Sequence, residues 1–252
     1  MKTVLITGAT AGIGRATAYK FAENKYNLIL TGRRENLLDE VATEIINRFG
    51  VEVITLYFDV RVKKDVEKAI NKLPADWKKI DVLVNNAGLA VGLVPFFDIK
   101  EDDAERMIDT NFKGLLYVSR VVSKLMIQNQ KGHIINISSI AGKETYPNGN
   151  VYCATKHAVD SLTNGMRMEL VQYGIKVTLI NPGAAETEFS LVRFKGDAQK
   201  AKDVYNGYIP LSAEDVADAI FYTTTLSQQA NINELTITPS AQASAMIFNK
   251  KF

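Results

Sequence analysis

The chain has 252 residues, of which 46% are hydrophobic and 23% are charged, values close to the averages for folded soluble proteins. The formal net charge is +2 and the sequence contains no block of Lys and Arg, so we expect no nucleic-acid partner. A single cysteine and two histidines exclude an intrachain disulfide and argue against a structural metal site.

The first apolar run of the chain passes directly into a glycine-rich turn, which favours a first strand over a signal peptide. The apolar stretches of the sequence all fall short of the roughly 18 to 20 residues that span a bilayer. We therefore expect a cytoplasmic protein that does not enter a membrane.

Short aliphatic runs alternate with longer amphipathic segments along the whole chain. The runs predict strands at 3–7, 27–31, 52–57, 81–84, 133–138, 176–180 and 234–237. The amphipathic segments predict helices at 13–24, 35–49, 64–73, 102–129, 151–173 and 213–226. Continuously aliphatic strands are typical of a parallel sheet buried on both faces. We predict one α/β domain over residues 1–252, a doubly wound parallel sheet (Rossmann fold) of about seven strands with helices on both faces.

The segment 184–207 departs from this alternation. It contains no clear strand, mixes polar and aromatic residues, and follows a strand whose carboxyl end should face the ligand crevice. We interpret residues 184–207 as a candidate substrate lid, called the candidate lid below.

The turn after the first strand contains Gly8, Gly12 and Gly14 in the spacing G-x-x-x-G-x-G, followed by an amphipathic helix. Glycines permit a tight turn and let backbone N–H groups at a helix start approach a phosphate. A glycine-rich turn alone is weak evidence, but its position between a strand and a helix favours dinucleotide binding.

The end of the second strand indicates which dinucleotide binds. An acidic residue there pairs with the ribose hydroxyls of NAD, whereas cations accept the 2′-phosphate of NADP. Arg33 and Arg34 stand at this point and favour NADP(H). The alternative is that both are solvated residues at the start of the next helix, where the helix dipole slightly disfavours a cation.

Tyr152 and Lys156 are four residues apart in a predicted helix, so their side chains lie on one face. A phenol with a pKa near 10 is a poor base at neutral pH, and the Lys156 ammonium would favour its ionised form. Ser139, thirteen positions before Tyr152, could orient a substrate oxygen toward it. Ser138 competes for this role, because neighbouring side chains on a strand point to opposite faces.

Several motifs, in this order, resemble those of the short-chain dehydrogenase/reductase family: the glycine-rich turn, Asn85-Asn86-Ala87-Gly88, Ser139, Tyr152-Cys153-Ala154-Thr155-Lys156 and Asn181-Pro182-Gly183. The resemblance covers the chain from Thr3 to about Phe189. It implies hydride transfer with NADP(H) between a hydroxyl and a carbonyl carbon. In that reaction Tyr152 transfers the proton, Ser139 positions the substrate oxygen, and Lys156 holds the ribose and tunes Tyr152.

The resemblance also assigns Asn111 to a water-linked proton relay with Lys156, although a buried amide capping a helix irregularity is the alternative. It places Asp59 on the adenine side, where the alternative is a helix N-cap, and gives Asn86 a role in stabilising the central sheet. The expected cofactor contacts are Gly8, Thr10, Gly12, Ile13, Gly14, Arg33, Arg34, Asp59, Asn86, Gly88, Tyr152, Lys156, Pro182, Gly183 and Thr187.

Three segments, MIDTNFKGLLY, GNVYCATK and TEFSLVRFKGDAQKA, resemble the subgroup that acts on short 3-hydroxy acids such as L-allo-threonine and serine. A carboxylate substrate requires a cation or N–H donors near its distal end. Arg193 is the first candidate and Lys195 the second. The expected substrate contacts are Ser139, Tyr152 and Arg193.

Ala184 and Ala185 stand where this subgroup usually has larger aliphatic residues such as Leu-Val. The smaller side chains would widen the substrate space, unless bulk such as Tyr146 or Phe189 compensates. Three functions remain open: a 3-hydroxy acid dehydrogenase, a broader reductase of aldehydes and ketones including diketones and sulfoacetaldehyde, and a non-catalytic NADP(H) sensor. The intact catalytic set argues against the sensor. Family members commonly form tetramers, so we expect a homotetramer with the tail 238–252 at an interface.

Overall fold

The strands of the protein form a single parallel sheet. In the computed structural model, which describes residues 1–251, they are β1 (Thr3–Thr7), β2 (Asn27–Gly32), β3 (Val53–Tyr57), β4 (Val82–Asn85), β5 (Gly132–Ile137), β6 (Ile175–Pro182) and β7 (Glu234–Ile237). All adjacent pairs are parallel, in the order β3-β2-β1-β4-β5-β6-β7. Each strand ends within two residues of its predicted bounds. The predicted doubly wound sheet is confirmed.

The helices between the strands are α1 (Gly12–Glu23), α2 (Glu35–Phe49), α3 (Lys63–Asn71), α4 (Glu101–Ile108), α5 (Leu115–Asn129), α6 (Asn150–Leu170), α7 (Glu188–Arg193), α8 (Ala198–Asp203) and α9 (Ala213–Thr225). The single helix predicted over 102–129 is wrong, because π-helical turns over Asp109–Gly114 separate α4 from α5. The candidate lid contains two short helices, α7 and α8, that periodicity did not predict. No helix in the described part of the chain is both long and apolar enough to cross a bilayer.

Two apolar layers attach the helices to the sheet, one on each face. Val4 and Ile6 of β1 pack in the layer that includes α1, α2 and α9. Leu5, between them, packs in the opposite layer with α3, α5 and α6. All three side chains are fully buried, which explains why consecutive strand residues are aliphatic.

The strand order reverses at the centre of the sheet, where β1 has β2 on one side and β4 on the other. The loops that follow these two strands lead away to opposite faces and leave a crevice at their carboxyl ends. A cleft of about 830 Å³ lies there, lined by residues that follow β1, β2, β4, β5 and β6 together with part of the candidate lid. The topology therefore gathers the polar motifs of the sequence around one cavity.

Candidate active site

The glycine-rich turn leaves no room for side chains where it meets its neighbours. Gly8 and Gly12 have φ angles of 69° and 50°, in the left-handed region that favours glycine. A Cβ atom on Gly14 would lie 2.3 Å from the carbonyl oxygen of Gly8. Ala11 precedes α1 without a side-chain cap, so no side chain of that residue covers the first N–H groups of the helix. An open helix start on a tight turn fits the pyrophosphate of a dinucleotide.

Asn86 ties this turn to the end of β4. Its Nδ2 donates to the carbonyl oxygens of Thr7 at 2.9 Å and Gly8 at 3.2 Å. The Thr7 hydroxyl in turn accepts from the backbone N–H groups of Asn86 and Ala87, both at 3.0 Å. These bonds give Asn86 a clear structural part beside any contact with a ligand.

Most of the predicted cofactor and substrate residues lie together on the cleft. The exception is Gly14, and the predicted catalytic residue Asn111 is also outside the lining. The residues that do line it are Gly8, Thr10, Gly12, Ile13, Arg33, Arg34, Asp59, Asn86, Gly88, Ser139, Tyr152, Lys156, Pro182, Gly183, Thr187 and Arg193.

Asp59 organises the rim of the cleft through a turn and not as a helix cap. Its Oδ1 accepts from the backbone N–H of Arg61 at 3.0 Å, and its Oδ2 lies 2.6 Å from the Arg61 guanidinium and 3.5 Å from that of Arg33. The N-cap interpretation is wrong, because α3 begins at Lys63 and Val62 precedes it. Burial opposes ionisation of the Asp59 carboxyl, but the Arg61 and Arg33 contacts outweigh it and lower its pKa.

Arg34 reaches across the mouth of the cleft. Its Nε and Nη2 donate to the Thr10 hydroxyl at 3.2 and 2.8 Å, and its Nη1 donates to Glu188 at 3.0 Å. The side chains of Arg33 and Arg34 are about half exposed, at 52% and 48%. Both guanidinium groups thus have exposed surface at the end of β2, although Arg34 is already bound to Thr10 and Glu188. Sequence reasoning missed Arg61 and Glu188, because neither belongs to a recognisable motif.

Tyr152 and Lys156 lie on one face of α6 and are both buried. The Lys156 Nζ donates to the carbonyl oxygen of Ile137 at 2.9 Å and lies 5.8 Å from the centre of the Tyr152 ring. Burial lowers the pKa of Lys156 to about 8. Burial and the neighbouring Tyr146 raise the pKa of Tyr152, while the charge of Arg193 and a hydrogen bond with Ser139 oppose that rise. The protein alone thus holds Tyr152 as a neutral phenol.

The two serines after β5 have different partners. The Ser138 hydroxyl donates to the carbonyl oxygen of Lys156 at 3.1 Å and joins β5 to α6. The Ser139 hydroxyl donates to the carbonyl oxygen of Pro182 at 3.3 Å and accepts from the Ala141 N–H at 3.1 Å. Because Ser139 also contacts Tyr152, it is the better placed of the two to meet a bound oxygen.

Asn111 lies in the π-helical turns between α4 and α5. Its Oδ1 accepts from the N–H of Leu89 at 2.8 Å, and its Nδ2 donates to the carbonyl oxygen of Leu89 at 2.8 Å and to the Thr155 hydroxyl at 3.1 Å. The amide therefore joins the irregular helix to the loop after β4 and to α6. Such π-turns are frequent at functional sites. The contacts agree with a buried amide at a helix irregularity, and the water-linked relay stays a prediction.

Arg193 enters the cleft from the candidate lid. Its guanidinium carbon lies 5.1 Å from the centre of the Tyr152 ring and 5.4 Å from that of Phe189. Its Nη2 donates to the Tyr146 hydroxyl at 2.7 Å, while its Nε is buried without a hydrogen-bond partner. Within residues 1–251 no carboxylate forms an ion pair with Arg193. By contrast, Lys195 is bound to Asp103 at 2.7 Å. Of these two cations in the candidate lid, Arg193 is therefore the one that faces Tyr152.

The C-terminal tail forms part of the cleft, a role that the sequence did not predict. Gln242 accepts from the N–H of Ala184 at 2.9 Å through its side-chain oxygen, and a Cβ on Gly183 would lie 2.3 Å from that atom. Farther along, the Ala245 N–H donates to Glu144 at 2.8 Å. The tail therefore crosses from the end of β6 to the loop after β5. The tail residues that line the cleft are Gln242, Ala245, Met246 and Phe248.

Comparisons with known proteins agree with this geometry. A family model described as short chain dehydrogenase matches residues 2–197. The chain is 42% identical over 245 residues to the NADP-dependent 3-hydroxy acid dehydrogenase of Schizosaccharomyces pombe, covering 97% of this chain and 95% of that protein. It is 46% identical over 241 residues to sulfoacetaldehyde reductase 2 of Chromohalobacter salexigens, covering 95% of each.

A solved structure described as the closed form of serine dehydrogenase complexed with NADP+ has a TM-score of 0.91 against this chain at 41% identity. It covers 99% of this chain and 100% of its own. The sequence-based resemblance is confirmed by the family match and by relatives of nearly equal length. The chain belongs to the short-chain dehydrogenase family.

Proposed function

We propose that this protein is an NADP(H)-dependent dehydrogenase that interconverts a hydroxyl and a carbonyl group in short 3-hydroxy acids, of the L-allo-threonine, serine or 3-hydroxypropionate type. The substrate assignment rests on the position of the Arg193 guanidinium. Its carbon lies 5.1 Å from the centre of the Tyr152 ring, and it forms no ion pair with a carboxylate in residues 1–251. Arg193 is partly buried, and a cation held away from water is stabilised by an anion, which a small carboxylate supplies. The names of the relatives support the same chemistry.

The cofactor fits the residues of the cleft. The turn that contains Gly8 and Gly12 would hold the pyrophosphate, and the half-exposed cations at the end of β2 would bind the 2′-phosphate. Asp59 would contact the adenine side, and Thr187 would contact the nicotinamide carboxamide. When bound, NADP(H) donates or accepts the hydride.

The remaining chemistry belongs to side chains of the chain. Tyr152 gives or takes the proton at the substrate oxygen, and Ser139 holds that oxygen by a hydrogen bond. Lys156 binds the ribose, and its positive charge favours ionisation of Tyr152 against the effect of burial. Asn111 connects Lys156 to solvent through water. The four residues together define the catalytic group.

Arg193, with its guanidinium carbon 5.1 Å from the centre of the Tyr152 ring, binds the substrate carboxylate. Tyr146 orients it by accepting the 2.7 Å hydrogen bond from Nη2. Charge-assisted bonds of this kind fix the acid end while Ser139 fixes the hydroxyl end. The reacting carbon of a three-carbon acid is thereby held between the two anchors.

Reduction of sulfoacetaldehyde is the second candidate function. A sulfonate carries the same single charge as a carboxylate, so the Arg193 guanidinium suits both. The small side chains of Ala184 and Ala185, which line the cleft, leave room for the larger sulfonate group. A relative with that name is 46% identical to this chain. A sensor without catalysis is disfavoured, because it requires no convergence of Ser139 and Tyr152.

The remaining properties are proposed from the family resemblance. We infer one domain over residues 1–252 with a lid at 184–207, a homotetramer, and a cytoplasmic location. Met168 in α6 and Val171 directly after it are 73% and 66% exposed, as expected of apolar side chains that meet another subunit. The partners are small-molecule substrates, without metal, nucleic acid or membrane.

The test is an absorbance assay of NADPH formation and consumption with purified protein. Oxidation of L-allo-threonine, L-serine and 3-hydroxypropionate is measured beside reduction of sulfoacetaldehyde, neutral aldehydes and diketones, with NAD(H) in parallel. We expect the hydroxy acids to be oxidised with NADP+ in preference to NAD+. Activity confined to neutral carbonyls would reject the proposed substrate class. NADPH binding without turnover of any substrate would favour the sensor.

A further inference from the structure

The ion pair between Arg34 and Glu188 spans the mouth of the cofactor cleft. Arg34 follows β2, at the proposed 2′-phosphate end, whereas Glu188 is the first residue of α7 in the candidate lid. Their side chains meet at 3.0 Å, and both residues line the cleft. This contact therefore joins the end of the cleft that is proposed for the adenosine to the candidate lid.

The start of α7 in the candidate lid lies directly against the glycine-rich turn. A Cβ atom on Gly12 would lie 3.1 Å from the Cβ of Thr187, so the residue before Glu188 is in van der Waals contact with the proposed pyrophosphate site. At the carboxyl end of α7, the Gly92 N–H donates to the carbonyl oxygen of Arg193 at 2.9 Å. These two contacts anchor α7, the first helix of the candidate lid, at both of its ends.

The two arginines after β2 are engaged to different degrees. Arg34 uses Nε, Nη1 and Nη2 in bonds to Thr10 and Glu188. Arg33 has one long contact, at 3.5 Å to Asp59, and that carboxylate is already bound more closely by Arg61. A guanidinium has five N–H donors, so Arg33 retains most of its capacity for a phosphate, whereas Arg34 is largely committed to the protein.

We propose that Glu188 is a positioning residue that pairs with Arg34 to hold the candidate lid across the bound cofactor, so that Arg34 contributes less than Arg33 to the preference for NADP(H). We call this ion pair the clasp. The inference rests on the proposed NADP(H) site and divides the work of two arginines that the sequence treats alike. Release of the cofactor then requires the clasp to open. This requirement slows the departure of the phosphorylated and unphosphorylated cofactors alike, because the ion pair does not involve the 2′-phosphate.

The experiment measures cofactor release from the whole protein by stopped flow, displacing NADPH or NADH with excess oxidised cofactor and following nucleotide fluorescence. An exposed ion pair of this kind contributes modestly, so we expect E188Q and R34A each to accelerate release of both cofactors by about two- to fivefold. The double variant should release them no faster than either single variant, because the two residues act as one contact. R33A should instead weaken the binding of NADPH by more than about tenfold and leave the affinity for NADH nearly unchanged.

The matched control is D218N, which removes the carboxylate of another surface pair, Lys20 with Asp218 at 2.8 Å. It should leave both release rates at the wild-type value. Unchanged release in E188Q, with NADPH still bound, would overturn the clasp alone. Loss of NADPH preference in R34A equal to that in R33A would overturn the division of roles. Absence of NADPH binding by the wild-type protein would overturn the clasp together with the proposed function.

Discussion

The guanidinium of Arg193 lies 5.1 Å from the centre of the Tyr152 ring, although one residue comes from the candidate lid and the other from α6. The contact brings a cation without a carboxylate partner in residues 1–251 beside the proposed proton-transfer group. Its positive charge lowers the pKa of Tyr152 against the larger, opposite effect of burial. The same cation provides a place for the acid group of a substrate.

Replacing Arg193 with Met should lower the activity on acid substrates much more than the activity on neutral ones. Met keeps an apolar chain against the aromatic rings but cannot bind a carboxylate. We expect kcat/KM for 3-hydroxypropionate to fall about 10- to 100-fold, the range for hydrogen bonds to charged groups, with less than about threefold change for a neutral ketone. Lys195→Met is the matched control, since Lys195 is engaged by Asp103. Equal losses on both substrates in Arg193→Met would rule out carboxylate recognition.

Replacing Tyr152 with Phe should abolish turnover while NADPH still binds. The variant removes the phenol that exchanges the proton, and proton transfer by a positioned group contributes about 10²- to 10⁴-fold. We expect kcat to fall by at least about 100-fold. NADPH fluorescence titration should give a dissociation constant close to that of the wild type. The comparison is Tyr146→Phe, which loses the bond to Arg193 and should raise KM more than it lowers kcat. Substantial turnover in Tyr152→Phe would contradict the assignment.

The stability of the cofactor-free protein should depend on Lys156 at alkaline pH. Folding buries the ammonium group and lowers its pKa from 10.5 to about 8. Between these values the unfolded chain binds more protons than the folded protein, so the free energy of unfolding increases with pH. Relative to Lys156→Met, the wild type should gain up to about 3 kcal/mol over this window. Urea unfolding of both proteins at several pH values measures the difference, and a flat difference would contradict the burial effect.

Enlarging Ala184 and Ala185 should narrow the range of substrates. Ala184 lines the cleft beside Gln242, and Ala185 packs against an apolar layer while its carbonyl oxygen accepts from the Tyr205 hydroxyl at 2.9 Å. In Ala184→Leu with Ala185→Val, kcat/KM for branched or aromatic ketones should fall about tenfold, because added bulk in a packed site costs about 1–3 kcal/mol. Activity on serine should be retained. A similar loss for serine would show general distortion, which circular dichroism and thermal unfolding would detect.

Local patterns predicted the sheet and the core of the candidate site. Continuous aliphatic strands predicted burial on both faces, and the spacing of Tyr152 and Lys156 placed them on one helical face. The glycine spacing predicted a turn too tight for side chains, as the close approach of Gly14 to Gly8 demonstrates. These features depend on residues within one or two turns of backbone, so the sequence by itself determined them.

Only the tertiary structure decided which distant residues meet. The pairing of Arg34 with Glu188, the position of Arg193 over Tyr152 and the approach of the tail to Gly183 join segments far apart in the chain. Such contacts depend on how the helices pack on the sheet, because this packing determines the direction in which each side chain points. The π-helical turns at Asn111 have the same origin, because the amide bonds to the backbone of another loop instead of continuing a regular helix.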